Sequence, residues 1–173
     1  MSQIEIPAAF YRGGTSKGVF FHRKDLPEEH ERQNKIFLQV IGAPDPYGRQ
    51  LNGMGGGISS LSKIVIISPP SKDDADVDYT FGQVSVDKPI VDYNTNCGNL
   101  SSAVGPFAID EGLVQLKTTE GTNTIRLHNT NTGVIIHAHV PVIKGKAAIE
   151  GECQIQGVHG TGCLLYTSDA ADD

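Results

Sequence analysis

Tryptophan is absent from the 173 residues, aromatic side chains make up only 6%, and cysteine occurs three times, as Cys97, Cys153 and Cys163. So sparse and odd a cysteine set excludes a disulfide framework and fits a reducing compartment, so the expected location is the cytoplasm. No apolar stretch approaches the roughly 20 residues that a membrane helix needs. The most apolar run, Ile64-Val65-Ile66-Ile67, is short and bounded by Lys63 and Pro69-Pro70. Positive charge is scarce, with 14 Lys and Arg against 20 Asp and Glu, a net −6. That balance argues against nucleic acid or an anionic membrane as partner. Met1-Ser2-Gln3-Ile4 has no basic segment leading into an apolar one, so no secretory leader is expected. What remains is a 38% hydrophobic chain with 20 glycines and 9 prolines. It reads as one soluble globular domain of many short strands and turns.

Ile4 to Tyr11 reads as a first strand. Arg12-Gly13-Gly14-Thr15-Ser16-Lys17-Gly18 follows as a glycine-rich hairpin tip between two cations, and Val19-Phe20-Phe21 resumes the strand. The tip is either an ordinary solvated turn or an anion site in which Thr15 and Ser16 offer hydroxyls and Arg12 a guanidinium fork. It is not a phosphate-binding Walker loop, because Gly-Lys-Ser/Thr is missing. Asp25-Leu26-Pro27-Glu28-Glu29 opens like a helix, and Ile36, Phe37, Val40 and Ile41 give it one packing face up to Gly42. Residues 43–48 make a turn-rich connector.

A second glycine-rich segment, Gly53 to Gly57 with Ser59-Ser60, leads into a buried-looking strand from Lys63 to Ser68. Gly57 and the two serines are candidate donors to a carboxylate. A lysine at this place is either a snorkelling strand end or, in a partly buried pocket, a base. Ser71 to Asp78 is acidic and is expected to be a solvated loop rather than a calcium site. Val77 to Val86 alternates, with a phase change at Gly82 that predicts a bulge.

Asn96-Cys97-Gly98-Asn99-Leu100-Ser101 is the stretch the chain is organised around. Leu100, Ala103, Val104, Phe107 and Ala108 fall at helical spacing, with Asn96 or Asn99 as cap and Gly112 as stop. Cys97 then lies at the amino end of a helix, where thiolate is favoured and unpaired N–H groups attract a carboxylate. A small core cysteine is the equal alternative. Further on, Thr124 to Asn129 and Val134 to Val140 form a hairpin around Asn131-Thr132-Gly133. His137 and His139 share a face there as cross-strand polar residues, and no metal set is expected. A last strand is expected from Ala147 to Gln156, then a loop at 157–162.

Residues 163–173, Cys-Leu-Leu-Tyr-Thr-Ser-Asp-Ala-Ala-Asp-Asp, share no pattern with what precedes them and read as translated sequencing adapter. The domain is therefore placed at 1–162, Cys163 falls either to the adapter or to the protein, and the natural chain is expected to continue beyond Gly162.

Arg12 to Gly18, Gly53 to Gly57 with Ser59, Ser60 and Lys63, Phe81-Gly82-Gln83-Val84-Ser85 and Asn96 to Ser101 together resemble the PrpF family of 2-methylaconitate cis–trans isomerases. The likeness covers nearly all of residues 5–162. It implies an α+β, diaminopimelate epimerase-like domain, a strongly curved mixed or antiparallel sheet wrapped around a central helix. That domain is one of two pseudo-symmetric halves, with the active site in the cleft and the second half missing here. It implies a cofactor-independent isomerase moving a proton on an unsaturated tri- or dicarboxylate, foremost 2-methylaconitate in propionate catabolism. 4-Oxalomesaconate tautomerisation and methylitaconate-type isomerisation are the alternatives, and a non-catalytic accessory of an aconitase-like dehydratase is the rival from another class. Lys63 matches the family's essential lysine and Cys97 its substrate-side cysteine, without deciding which is the base. Arg12, Thr15, Ser16, Lys17, Gly56, Gly57, Ser59, Ser60, Asn96, Gly98 and Asn99 are the expected substrate-binding positions.

Overall fold

The computed structural model describes residues 3–151 together with 154, 156, 159, 167 and 168. Expectations about the 157–162 loop, Cys163 and, apart from Thr167 and Ser168, the 163–173 tail lie outside the described residues.

The strands form one mixed sheet in the order β1-β2-β3-β4-β6-β7-β8. The first hairpin pairs β1 (Ala9–Gly13) with β2 (Ser16–His22), and its turn is Gly14-Thr15, with Gly14 at φ +51°. Strand β1 begins later than Ile4, after Pro7. β2 runs parallel to β3 (Lys63–Ser68), which is antiparallel to β4 (Val77–Val84). β5 (Val91–Asp92) pairs with the end of β4. β6 (Gly121–Asn129) runs parallel to β4 and makes the expected hairpin with β7 (Ile135–Ile143). β8 is only Lys146–Ala147, and residues 148–151, 154 and 156 are not strand, while 152, 153 and 155 of the expected strand to Gln156 lie outside the described residues. β9 (Thr167–Ser168) pairs with β7 at His139 and Ala138.

Alternation sorts the strand residues into two cores. On one face, Phe20, Val65, Ile67, Tyr79, Phe81, Leu127 and Val140 enclose Val104, Phe107 and Ala108, so the sheet curls around the helix as expected. On the other, Val19, Phe21, Ile64, Ile66 and Val84 pack against Phe37 and Ile41 of α1 (His30–Ile41). Strands β2 and β3 are thus covered on both sides, which is why Ile64 to Ile67 reads as an unbroken apolar run. Helix α1 starts five residues later than Asp25, with Glu29 as its cap, and stops at Gly42 in the left-handed conformation.

The bulge expected at Gly82 is absent. Register runs unbroken from Ser68↔Asp78 through Ile64↔Gly82 to Lys63↔Gln83. The apolar phase changes because Val77, Tyr79 and Phe81 face one core while Val84 faces the other. The acidic stretch is also less solvated than expected. Asp76 is forked by Arg126, with Nη2 to Oδ1 at 2.7 Å, and Asp78 is buried in β4 beside His128 Nδ1 at 2.9 Å. His139 shares a 2.9 Å hydrogen bond with Thr124 across the β6–β7 hairpin.

The expected long helix breaks in two, α2 (Gly98–Ser101) and α3 (Val104–Asp110). Pro106 has no N–H to give to the carbonyl four residues back, so it is accommodated only in the first turn of a new helix. α3 ends as expected, with Gly112 at φ +67° and Leu113 N reaching Ala108 O.

Candidate active site

Glycine lets the hairpin tip lie directly against the Cys97 segment. A Cβ at Gly13 would collide with the Asn99 carbonyl, and one at Gly14 with the Asn99 side chain. A Cβ at Gly18 would come 2.8 Å from Leu100 Cδ2 and 3.0 Å from the Lys63 carbonyl. Asn99 Nδ2 donates to Thr15 Oγ1 at 3.1 Å, so the close approach is fastened by a side chain. At its centre, the half-buried thiol of Cys97 lies 3.6 Å from the hydroxyl of buried Ser16.

Cys97 itself caps α2, with its backbone extended and its carbonyl accepting from Ser101 N at 2.9 Å; neither Asn96 nor Asn99 is the cap. A four-residue helix carries far less dipole than the long one expected, so its influence on the thiol is local, through first-turn N–H groups. Behind the cysteine lies a polar cluster. Asn96 Oδ1 accepts from Tyr79 Oη at 3.3 Å, Ser101 Oγ at 3.3 Å and Asn129 Nδ2 at 3.2 Å. Burial pushes the Tyr79 phenol up, its hydrogen bonds to Ser101 and Asn96 work the other way, and Cys97 adds to the rise, so Tyr79 keeps its proton. With its oxygen facing Asn129 Nδ2 and the mutually bonded hydroxyls of Tyr79 and Ser101, Asn96 has Nδ2 left over as a donor that no described residue uses.

Lys63 opens β3 on the same face as Val65 and Ile67, hence on the Cys97 side of the sheet. Ser16, two residues before Gly18, is on that face too, and Gly18 pairs with Lys63. Thiol and ammonium therefore share one face at one end of the β2–β3 pair. Lys63 is only 6% exposed. Its Nζ donates to Gln83 Oε1 at 2.6 Å and stands 5.1 Å from the centre of the Phe81 ring.

The glycine-rich loop before Lys63 lies on the last turn of α1, where Met54 N and Gly55 N take the Val40 and Ile41 carbonyls. Gly57, at φ +75°, gives its N–H to Gln50 Oε1 at 2.9 Å. That N–H is therefore not available to a substrate, contrary to expectation. Gly56 and Ser59 are exposed and Ser60 is half-buried, and the two serine hydroxyls, on the turn whose Ser59 carbonyl accepts from Gln83, make no hydrogen bond among the described residues. Gly98 is exposed at the start of α2, where added bulk would meet nothing.

Arg12 and Lys17 stand apart from Ser16. They are a cross-strand pair on β1 and β2, and alternation sends both to the face opposite Ser16. Arg12 is exposed and its Nε turns back to the Gly14 carbonyl at 2.9 Å. Sequence reasoning also passed over Gln50, Tyr79, Gln83, Ser101 and Asn129. The signal for Gln83 lies in register, which emerges only once Lys63 and Gln83 are known to be partners. A groove of about 640 Å³ between the end of α1 and residues 43–52 contains neither Lys63 nor Cys97.

A family profile described as PrpF protein matches residues 3–173. The chain is 50% identical over 162 residues to a 2-methyl-aconitate isomerase of Cupriavidus necator, covering 90% of this chain and 41% of that protein. It is 48% identical over 171 residues to the 3-methylitaconate isomerase of Eubacterium barkeri, covering 98% and 44%. A 4-oxalomesaconate tautomerase of Pseudomonas putida is 44% identical over 171 residues, with 98% and 46% covered. Among solved structures, a methylitaconate-delta-isomerase superposes with a TM-score of 0.86 at 48% identity, over 91% of this chain and 40% of that one. A hydroxyproline epimerase from Agrobacterium vitis, 11% identical, shares the fold with a TM-score of 0.52 over 81% and 38%. The chain thus spans less than half the length of the relatives it matches.

Proposed function

The chain belongs to the PrpF family, and from that membership we propose that it is the first domain of a cofactor-independent isomerase that moves a proton on an unsaturated di- or tricarboxylate. The observation that carries this reading is the placement of Lys63 and Cys97 on one sheet face at one end, beside a glycine-rich rim.

The chemistry follows from the groups present. One of the pair takes a proton from a carbon conjugated with the alkene and a carboxylate. The electron pair moves into a dienolate, and a proton returns as the double bond shifts or changes geometry. Donors fixed beforehand around the growing charge lower the barrier. Asn96 Nδ2 is such a donor, its oxygen being anchored by Tyr79, Ser101 and Asn129. Ser59 and Ser60 offer free hydroxyls for a second carboxylate, and Thr15, Gly98 and Asn99 line the approach. The remainder of a full-length relative's length is read as a second domain that closes the open face.

The foremost substrate is 2-methylaconitate in propionate breakdown, in line with the names of two relatives 50% and 47% identical to this chain; 4-oxalomesaconate is the second reading, from the Pseudomonas relative. A reaction that depends on a free thiol belongs in a reducing compartment, the cytoplasm. The rival is an accessory of an aconitase-like dehydratase. Full-length enzyme incubated with each acid in deuterated buffer separates them. Deuterium uptake with alkene isomerisation supports catalysis. No exchange with any of the acids, or undiminished function in Lys63→Ala, supports the accessory role.

A further inference from the structure

We propose that Gln83 is the positioning residue of Lys63, fixing the ammonium at the site through a neutral acceptor rather than a counter-charge. The inference rests on the reading of Lys63 as the proton-transfer lysine. Gln83 stands directly opposite Lys63 in the β3–β4 register. Its Nε2 donates to the Ser62 carbonyl at 2.9 Å and the Ser59 carbonyl at 3.0 Å, with the Val84 carbonyl at 3.4 Å. Carbonyl oxygens only accept, so the nitrogen end of the amide must face them and a flipped amide is excluded. Oε1 is thereby aimed at Lys63 Nζ, 2.6 Å away.

Lys63 makes no ion pair among the described residues; its hydrogen-bond partner there is this amide, and the Phe81 ring flanks it. A carboxylate at the same place would favour the charged form and hold the proton. A neutral amide sets the location without adding a counter-charge. The carbonyls that orient Gln83 also belong to the turn carrying Ser59 and Ser60, so lysine and rim hydroxyls are held in one frame.

The test uses the full-length protein, with Gln83→Leu to remove the acceptor and Gln83→Glu to replace it by a charge. In 15N-lysine-labelled protein, the Lys63 ammonium is expected to give a water-protected signal, assigned by its loss in Lys63→Met. Gln83→Leu is expected to speed its exchange ~10-fold or more and to lower kcat ~10- to 100-fold at little-changed KM, the signature of a misplaced group. Gln83→Glu is expected to keep the signal and move the acid limb of the kcat profile up by about one pH unit or more, because the carboxylate retains the lysine proton. Wild-type exchange and wild-type kcat in Gln83→Leu overturn the proposal, as does an unmoved profile in Gln83→Glu. If Gln83→Leu fails to fold, the Gln83→Glu profile decides. If the wild type turns over none of the acids, the isomerase reading falls while the ammonium signal in the two variants still decides the role of Gln83.

Discussion

Cys97 Sγ rests 3.6 Å from Ser16 Oγ, a contact between residues 81 positions apart that ties the first hairpin to the start of α2. The thiol is half-buried and packs at the edge of the core that encloses α3. Cys97→Ser keeps the size of the side chain and a hydrogen bond to Ser16 while removing the more acidic group. In the full-length enzyme it is expected to fold normally and to lower isomerisation ~10²- to 10⁴-fold, the usual worth of a positioned acid or base. Turnover within about threefold of wild type would remove the thiol from the proton path.

Lys63→Met preserves the stem that packs beside Phe81 and deletes the ammonium. Substrate-dependent deuterium exchange is expected to fall ~10²-fold or more. The melting temperature should stay close to that of the wild type, since Gln83 keeps its bonds to the Ser59 and Ser62 carbonyls.

Gly13 has no room for a side chain, because the Asn99 carbonyl and Leu100 Cα occupy the place of a Cβ. Gly13→Ala is expected to destabilise the protein by about 1–3 kcal/mol, the typical cost of overpacking a tight contact. Denaturant titration measures the loss. Activity should drop further than stability, because the displaced partner is the segment that carries Cys97.

Acid stability is expected to depend on Asp78. Burial pushes its carboxyl up, but hydrogen bonds from Ser71 and the His128 ring together outweigh that and hold it below the ordinary carboxylate value. A depressed carboxyl stabilises the fold fully above its unfolded value of about 3.9, and the contribution disappears as pH falls through the folded value. Unfolding followed by circular dichroism should therefore show a steeper loss below about pH 4 in the wild type than in Asp78→Asn. Parallel curves would remove Asp78 from the acid transition.

How far the site was legible depended on whether a signal was local. The glycine tip at residues 13–14, the strand from Lys63 and the stop at Gly112 are written in neighbouring residues. Pro106 was equally visible, yet the spacing of Leu100, Val104 and Phe107 masked the break it imposes. The charge of Arg12 and Lys17 beside glycine is a local cue, whereas the face they take follows from alternation along a paired strand. Gly57 looked like an open donor until Gln50, seven residues back and at φ +52°, took its N–H. Gln83 stayed hidden because its role exists only across the β3–β4 pair. The apparent bulge at Gly82 was the mark of a strand that serves two cores, and apolar pattern alone does not separate one from the other.

The meeting of Gly13 and Gly14 with Asn99 has an evolutionary consequence. The Cys97 segment is located by glycine main chain set against the carbonyl and the side chain of Asn99, a joint with no room for larger residues at 13 and 14. The serines of the rim and the surfaces beyond them are free to diversify around it. On the isomerase reading proposed above, a change in those surfaces alters which acid is accepted while Lys63 and Cys97 stay in place.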